Sequence, residues 1–266
     1  MDAEHARGET PRSGGVDDPE DGWFPESVAA SYDAPGRANA PEAVLGVVQL
    51  LEGLADGGPV LEFAVGTGRI AGPLARRGLA VSGIELSRAM AARLAAKPGG
   101  AQVNVTIGDM ANTRVAGEFS LVYLVDNTIC NVLTQDAQVE VFCNAAAHLV
   151  PGGHFLIEVG VPDLRRLPPG QDTVPFALEP GHDATSGYVG LDRYDVATQA
   201  FSSNHLTVSS DGQGRWRTIP FRYVWPSELD LMARIAGMTL CHRFGDWDRS
   251  GFTPTSTKHV SIWEKR

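Results

Sequence analysis

The chain lacks the features that would mark several protein classes. It has three cysteines, Cys130, Cys143 and Cys241, an odd number with no CxxC pair. That argues against a disulfide framework and a zinc cluster, and fits a reducing compartment. No apolar run approaches the roughly 20 residues that a membrane helix needs. The N-terminus has no basic flank followed by an apolar stretch, so a signal peptide is not expected. Basic residues are scarce: 22 Lys plus Arg stand against 32 Asp plus Glu, for a net charge of -10. Such a surface repels phosphate backbones, so neither nucleic acid nor membrane is an expected partner. Internal repeats and coiled-coil heptads are absent too. The expectation is a cytoplasmic protein whose oligomeric state is open, a homodimer included. With 266 residues, 43% hydrophobic and 20% charged, the composition suits one large domain, or one domain carrying an insertion.

Residues 1–21 hold Val16 as their one sizeable apolar side chain past Met1, too little to offset ordering entropy, and are expected to form a disordered tail. The segment 22–40 reads as an N-terminal lid helix ending near Tyr32, ahead of Pro35 and Gly36. Pro41 opens a helix with Val44, Val47, Val48 and Leu51 at helical spacing. Strands are expected at 59–65, 80–86, 103–107, 119–125 and 151–159. Three helical segments separate them, two capped by Ser87 and Thr134, and this alternation means a doubly wound α/β sheet. The second half changes character. Three alternating segments between about Gly187 and Trp225 predict an inserted antiparallel meander, with the whole insertion at about 164–225 of a domain spanning 41–266. A helix starting at Pro226 and two last strands, MTLCHRF and HVSIWEK, complete the chain.

The loop Leu61-Glu62-Phe63-Ala64-Val65-Gly66-Thr67-Gly68-Arg69-Ile70-Ala71 follows a strand and opens a helix. Gly66 and Gly68 let backbone approach a ligand, and with Ala71 they also fit the dinucleotide pattern G-x-G-x-x-G/A. Glu62, four residues before Gly66, would repel a pyrophosphate and attract an ammonium or a sulfonium. Glu85 ends the second strand and can accept both hydroxyls of a ribose, although nicotinamide enzymes use that position as well. Asp109, in Gly108-Asp109-Met110 after the third strand, can receive an adenine amine. Each acid alone reads as an exposed charge. Three at successive strand ends mark the edge where open α/β sheets bind ligands.

With E-x-A-x-G-T-G, G-I-E-L-S, G-D-M and L-x-P-G-G in this order over about 60–160, the chain resembles a class I S-adenosylmethionine-dependent methyltransferase. It is similar to the actinobacterial small-molecule enzymes of antibiotic pathways, sugar N-methyltransferases among them, which insert a small β-unit after the fifth strand. The resemblance implies a Rossmann-like α/β fold with a seven-stranded sheet in the order 3-2-1-4-5-7-6 and an antiparallel last strand. It implies S-adenosylmethionine as cofactor, with Glu62, Ala64, Gly66 and Gly68 along its methionine part and Arg69 in the same loop. Glu85 would hold the ribose, Leu86 and Met90 would flank the adenine, and Asp109 with the Met110 backbone would read its edge. Val125 and Asp126 would lie under the sulfonium. Tyr32, in the pair Tyr32-Asp33, resembles the family's lid tyrosine, and Arg37 would meet the cofactor carboxylate.

The catalytic candidates are Asp126, Tyr32 and His205. The sequence after the fourth strand, Asp126-Asn127-Thr128-Ile129, is not the Asn/Asp-Pro-Pro-Tyr/Phe of enzymes acting on DNA bases. Metal-dependent catechol-type enzymes carry Asp-Asn after the fifth strand; here Glu158-Val159-Gly160-Val161 stands there, so no metal is expected, with Asp163 the one nearby carboxylate. Strand alternation puts Ser203, His205 and Thr207 on one face. His205 is then a surface residue, a packed histidine or a substrate contact, and Arg222 and Tyr223 are equally open. Tyr194, Trp216, Phe221, Tyr223 and Trp225 form either a pocket wall or the glue of the insertion. The leading expectation is methyl transfer to an amine or hydroxyl of a small-molecule acceptor, a natural-product intermediate. Its rivals are a nicotinamide-dependent oxidoreductase and a catalytically silent cofactor-fold binding protein.

Overall fold

The computed structural model describes residues 24–33, 41–183 and 185–266. The expected tail at 1–21 and Arg37 lie outside them. The segment ahead of the sheet supplies α1 (Glu26–Ala29), a single turn, and α2 (Pro41–Ala55). Strand β1 (Val60–Phe63) is buried at every position because it runs through the centre of the sheet. After α3 (Ala71–Arg76), β2 (Val81–Glu85) pairs parallel to one side of β1. After α4 (Arg88–Ala95), β3 (Asn104–Ile107) extends the sheet beyond β2. On the other side β4 (Phe119–Leu124) pairs with β1. Helix α5 (Gln135–His148) then leads into β5 (Leu149–Gly160), parallel to β4. The expected caps form: Ser87 Oγ accepts from the Met90 amide at 3.1 Å, and Thr134 Oγ1 from that of Ala137 at 3.2 Å.

A separate four-stranded antiparallel sheet follows: β6 (Thr173–Pro180), β7 (Gly187–Asp195), β8 (Ala200–Val208) and β9 (Gly214–Arg222). The sequence predicts three of these strands and misses β6. Pro175 and Pro180 read against a strand, yet β6 is an edge strand with a register shift between Pro175 and Ala177, where proline is tolerated. Helix α6 (Pro226–Ile235), β10 (Met238–Phe244) and β11 (Lys258–Lys265) return to the main sheet. Its order is β10-β11-β5-β4-β1-β2-β3, and β11 is antiparallel to both neighbours. This is the expected 3-2-1-4-5-7-6 arrangement.

Helices cover both faces. Val47, Leu51 and Leu74 pack with Leu121, Tyr123 and Ile262 on one side; Phe142, Leu229 and Met232 pack with Phe63, Phe155 and Trp263 on the other. The small sheet leans on this second core through Phe201 and Phe221, whose rings stack 4.8 Å apart. Arg222 fastens it. The buried guanidinium donates to Gln138 of α5, to Gln199 at 3.1 Å and to Glu228 of α6 at 2.6 Å. No described helix is long and apolar enough to cross a membrane.

Candidate active site

The carboxyl ends of the parallel strands open onto a cavity of about 350 Å³, within the range of small-ligand sites. Its walls come from Ala64 and Gly66 after β1, Glu85, Leu86 and Met90 after β2, and Gly108, Asp109 and Met110 after β3. The Glu85 carboxylate is buried and held: one oxygen accepts the Gly66 amide at 2.7 Å, the other the Ser87 amide at 2.9 Å. Asp109 Oδ1 accepts the Ala111 amide at 2.8 Å, which fixes the turn that exposes this acid to the cavity.

The crossing point of the site is strained. Ala64, Asp126 and Asn127 all take left-handed backbone, with φ of 53°, 60° and 59°, at the ends of β1 and β4. Non-glycine residues persist there only where surrounding bonds dictate it, at about 1–3 kcal/mol each. For Asp126 and Asn127 those bonds come from β5. Glu158 Oε2 accepts the Asp126 amide at 2.9 Å, and the Gly160 amide donates to Asn127 Oδ1 at 2.6 Å. Burial, followed by the neighbouring Asp126 charge, pushes the Glu158 carboxyl above its ordinary value.

Glu62 faces a small hollow shared with Tyr32, Gly66, Arg69, Val125 and Asp126. Burial pushes its pKa up to about 8, against the opposing pull of the hydrogen bond from Tyr123. Tyr32 sits over the same hollow; desolvation and then Asp126 hold its phenol above the ordinary range. Arg69 spans the hollow's mouth to form an ion pair with Asp126.

Beyond that pair lies an open groove of about 970 Å³, lined by α2 and by the loop between β10 and β11. Glu42, Asp126, Glu158, Asp246 and Asp248 give it five carboxylates, against Arg69, Arg249 and Lys258. Lys258 pairs with Asp246 at 2.6 Å.

Most of the residues expected from the sequence converge here. Ala64, Gly66, Glu85, Leu86, Met90, Asp109, Met110 and Tyr32 border the cavity, and Glu62, Arg69, Val125 and Asp126 the hollow beside it. Gly68 does not border either. With φ of 76° it turns the chain away, and a Cβ there would come within 2.7 Å of Leu94, so this glycine serves helix packing. His205 also lies elsewhere: it sits in β8, its Nδ1 2.6 Å from the Tyr188 hydroxyl and its ring against Phe176. Arg222 is committed to the anchor described above, and Tyr223 packs among Tyr194, Phe201 and Trp225. Asp163 pairs with Arg165.

Sequence reasoning missed the far wall. Thr128, Asn131, Val132, Leu133, Thr134 and Ala137 close the cavity from the β4–α5 side, opposite Phe24 of the expected lid segment. It also missed the groove; the polar run Asp246-Trp247-Asp248-Arg249 was the available signal.

A mixed sheet in this order, with a glycine loop and three acids at successive strand ends, defines an α/β domain of the nucleotide-cofactor-binding kind, with its ligand site at the carboxyl edge. A family model described as a methyltransferase domain matches residues 60–153. Among solved structures, the CcbJ methyltransferase from Streptomyces caelestis is similar at 34% identity and a TM-score of 0.78, over 90% of this chain and 96% of that one. Two others share the fold at 18% identity. CalS10 from Micromonospora echinaspora, an amino pentose methyltransferase of calicheamicin biosynthesis solved with S-adenosylmethionine bound, has a TM-score of 0.65 over 89% of this chain and 95% of that one. The sugar N-methyltransferase KedS8 from a Streptoalloteichus species has 0.64 over 99% and 100%. A search of the curated proteins finds no match. The chain belongs to the S-adenosylmethionine-dependent methyltransferases, and S-adenosylmethionine is its cofactor. Neither the nicotinamide-dependent alternative nor the silent binding protein finds support in these matches.

Proposed function

We propose that the chain methylates an amine nitrogen on a small natural-product intermediate, held in the acidic groove beside Asp126. The observation that carries this reading is the groove itself: five carboxylates against three cations, meeting the hollow beside the cofactor cavity at the Arg69–Asp126 pair. An acidic cleft concentrates cationic ligands. The relatives agree in kind, since CalS10 is described as an amino pentose methyltransferase and KedS8 as a sugar N-methyltransferase.

The residues present fit the cofactor. Glu85 lies where ribose hydroxyls need an acceptor, and a carboxylate has about four acceptor sites, more than its two amide bonds take up. Leu86 and Met90 offer apolar faces to an adenine, and Asp109 with the Met110 backbone offers its edge polar partners. Glu62, Ala64, Gly66 and Arg69 would border the amino-acid end. When bound, S-adenosylmethionine supplies a methyl already activated by a sulfonium. The chain's work is therefore alignment, an effect worth up to about 7–11 kcal/mol. A neutral amine needs no base. Asp126, tied to Arg69, would orient that amine and ease the positive charge that grows on it.

The segment carrying Phe24 and Tyr32 would serve as a lid over the cavity. It is held to α4 by polar ties: Ser87 Oγ donates to the Phe24 carbonyl at 2.7 Å, Arg93 pairs with Glu26, and Lys97 pairs with Asp33 at 2.6 Å. The two ion pairs are partly exposed and add little each, which suits a segment that must open. The same reading places the enzyme in the cytoplasm, with a small-molecule rather than a nucleic-acid acceptor. Neutralising the groove tests it. With Glu42→Gln and Asp248→Asn combined, KM for amine acceptors should rise about tenfold with kcat nearly unchanged, as expected when ground-state binding alone is lost. An unaltered KM would contradict the groove as acceptor site.

A further inference from the structure

At the opposite end of the sheet from the cavity, three adjacent strands bring together an imidazole, a thiol and a carboxylate. His154 on β5 lies directly across from Glu264 on β11. Both project on the face that also carries Leu156 and Ile262, by strand alternation. Cys241 joins them from β10 because the register there shifts between Leu240 and His242, leaving Cys241 as the extra residue of a bulge. The ligating atoms of the three side chains lie within 4.8 Å of one another, and Cys241 Sγ is 3.7 Å from the Glu264 carboxylate. Among the described residues, the His154 ring has no hydrogen-bond partner to compete with a ligand.

We infer that His154, Cys241 and Glu264 form a site for a borderline divalent cation, zinc above all, with water as the fourth ligand. Nitrogen, sulfur and oxygen donors from three residues match the mixed sets that zinc accepts in tetrahedral sites, with bonds of about 2.0–2.3 Å. Donor atoms at the corners of such a site stand roughly 3.3–3.8 Å apart, so small side-chain movements suffice. Calcium and magnesium, which call for oxygen ligands, are disfavoured by the thiol and the imidazole. The site is distinct from the transfer chemistry: His154 lies four residues before Glu158, where β5 reaches the groove, about 13 Å along an extended strand. A bound ion would staple β10, β11 and β5 together, across the antiparallel end of the sheet.

Cobalt(II) titration of the untagged full chain tests this, because a thiolate ligand gives an intense charge-transfer band. The expected result is saturation at one equivalent, loss of the band on adding zinc, and a melting temperature raised by zinc. Cys241→Ser should abolish the band, and His154→Ala should weaken binding by at least about tenfold, both with circular dichroism unchanged. Failure to saturate near one equivalent would overturn the site. So would a band that persists in Cys241→Ser, which would place the thiolate at Cys130 or Cys143.

Discussion

The Tyr123 hydroxyl donates to Glu62 Oε2 at 2.8 Å, inside the sheet and directly behind the glycine loop. A phenol from β4 thus holds the carboxyl of β1 that the sequence marks as the cation-seeking group of the loop. Burial, against the pull of this bond, turns Glu62 into a titrating element by raising its pKa from 4.5 to about 8. Near neutral pH the ligand-free chain keeps much of Glu62 protonated, and a cationic cofactor would draw that proton off.

The sign of the stability effect follows from the raised value. The bound proton stabilises the folded chain; the contribution is complete below pH 4.5 and is lost as pH rises through about 8. In that window stability should fall by up to about 1.4 kcal/mol per pH unit. Glu62→Gln, which stays neutral and can still accept from Tyr123, should lose this slope. Its melting temperature should gain on the wild type steadily across the same interval. Parallel melting curves over that range would show that Glu62 does not titrate in it.

Glu85→Ala should weaken binding of S-adenosylhomocysteine at least tenfold, since a bond to a charged acceptor is worth about 1.5–3 kcal/mol and a ribose would make two. The same carboxylate also satisfies the Gly66 and Ser87 amides. The variant should therefore also lose about 1–3 kcal/mol in a urea melt. Calorimetry showing an unchanged dissociation constant would remove Glu85 from the cofactor site.

Arg222→Ala should destabilise the chain by about 3–5 kcal/mol, the usual result of stripping one partner from a buried pair. Glu228, its side chain only 13% exposed, would be left facing Gln135 and Gln199 alone. A urea melt within 1 kcal/mol of the wild type would mean that the small sheet docks without this anchor.

The sheet was legible because most of its parallel strands are short apolar runs ended by turns, and two of them lead into helices with side-chain caps, as in Val81–Glu85 followed by Ser87. The acids at its carboxyl edge were legible for the same reason: Glu62, Glu85 and Asp109 stand at fixed places relative to strands. What escaped depends on contacts between distant segments. His205 looked available on strand alternation, but Phe176 from the unexpected strand β6 closes over it. Gly68 looked like a ligand contact, and only the approach of Leu94 shows its packing role. The groove joins α2 to a loop about 200 residues later, a juxtaposition no local pattern carries.

The central claim is that this site transfers a methyl to nitrogen with Asp126 as an orienting group rather than a base. The most direct measurement is nuclear magnetic resonance of the product formed from S-adenosylmethionine labelled with ¹³C in its methyl. It would be run with acceptors bearing both an amine and a hydroxyl, across pH, for the wild type and Asp126→Asn. The account predicts label on nitrogen and a rate that rises with pH up to the acceptor's own pKa. In Asp126→Asn the rate should fall about 10–100-fold without moving that limb. Label on oxygen, or an ascending limb that vanishes in Asp126→Asn, would contradict it.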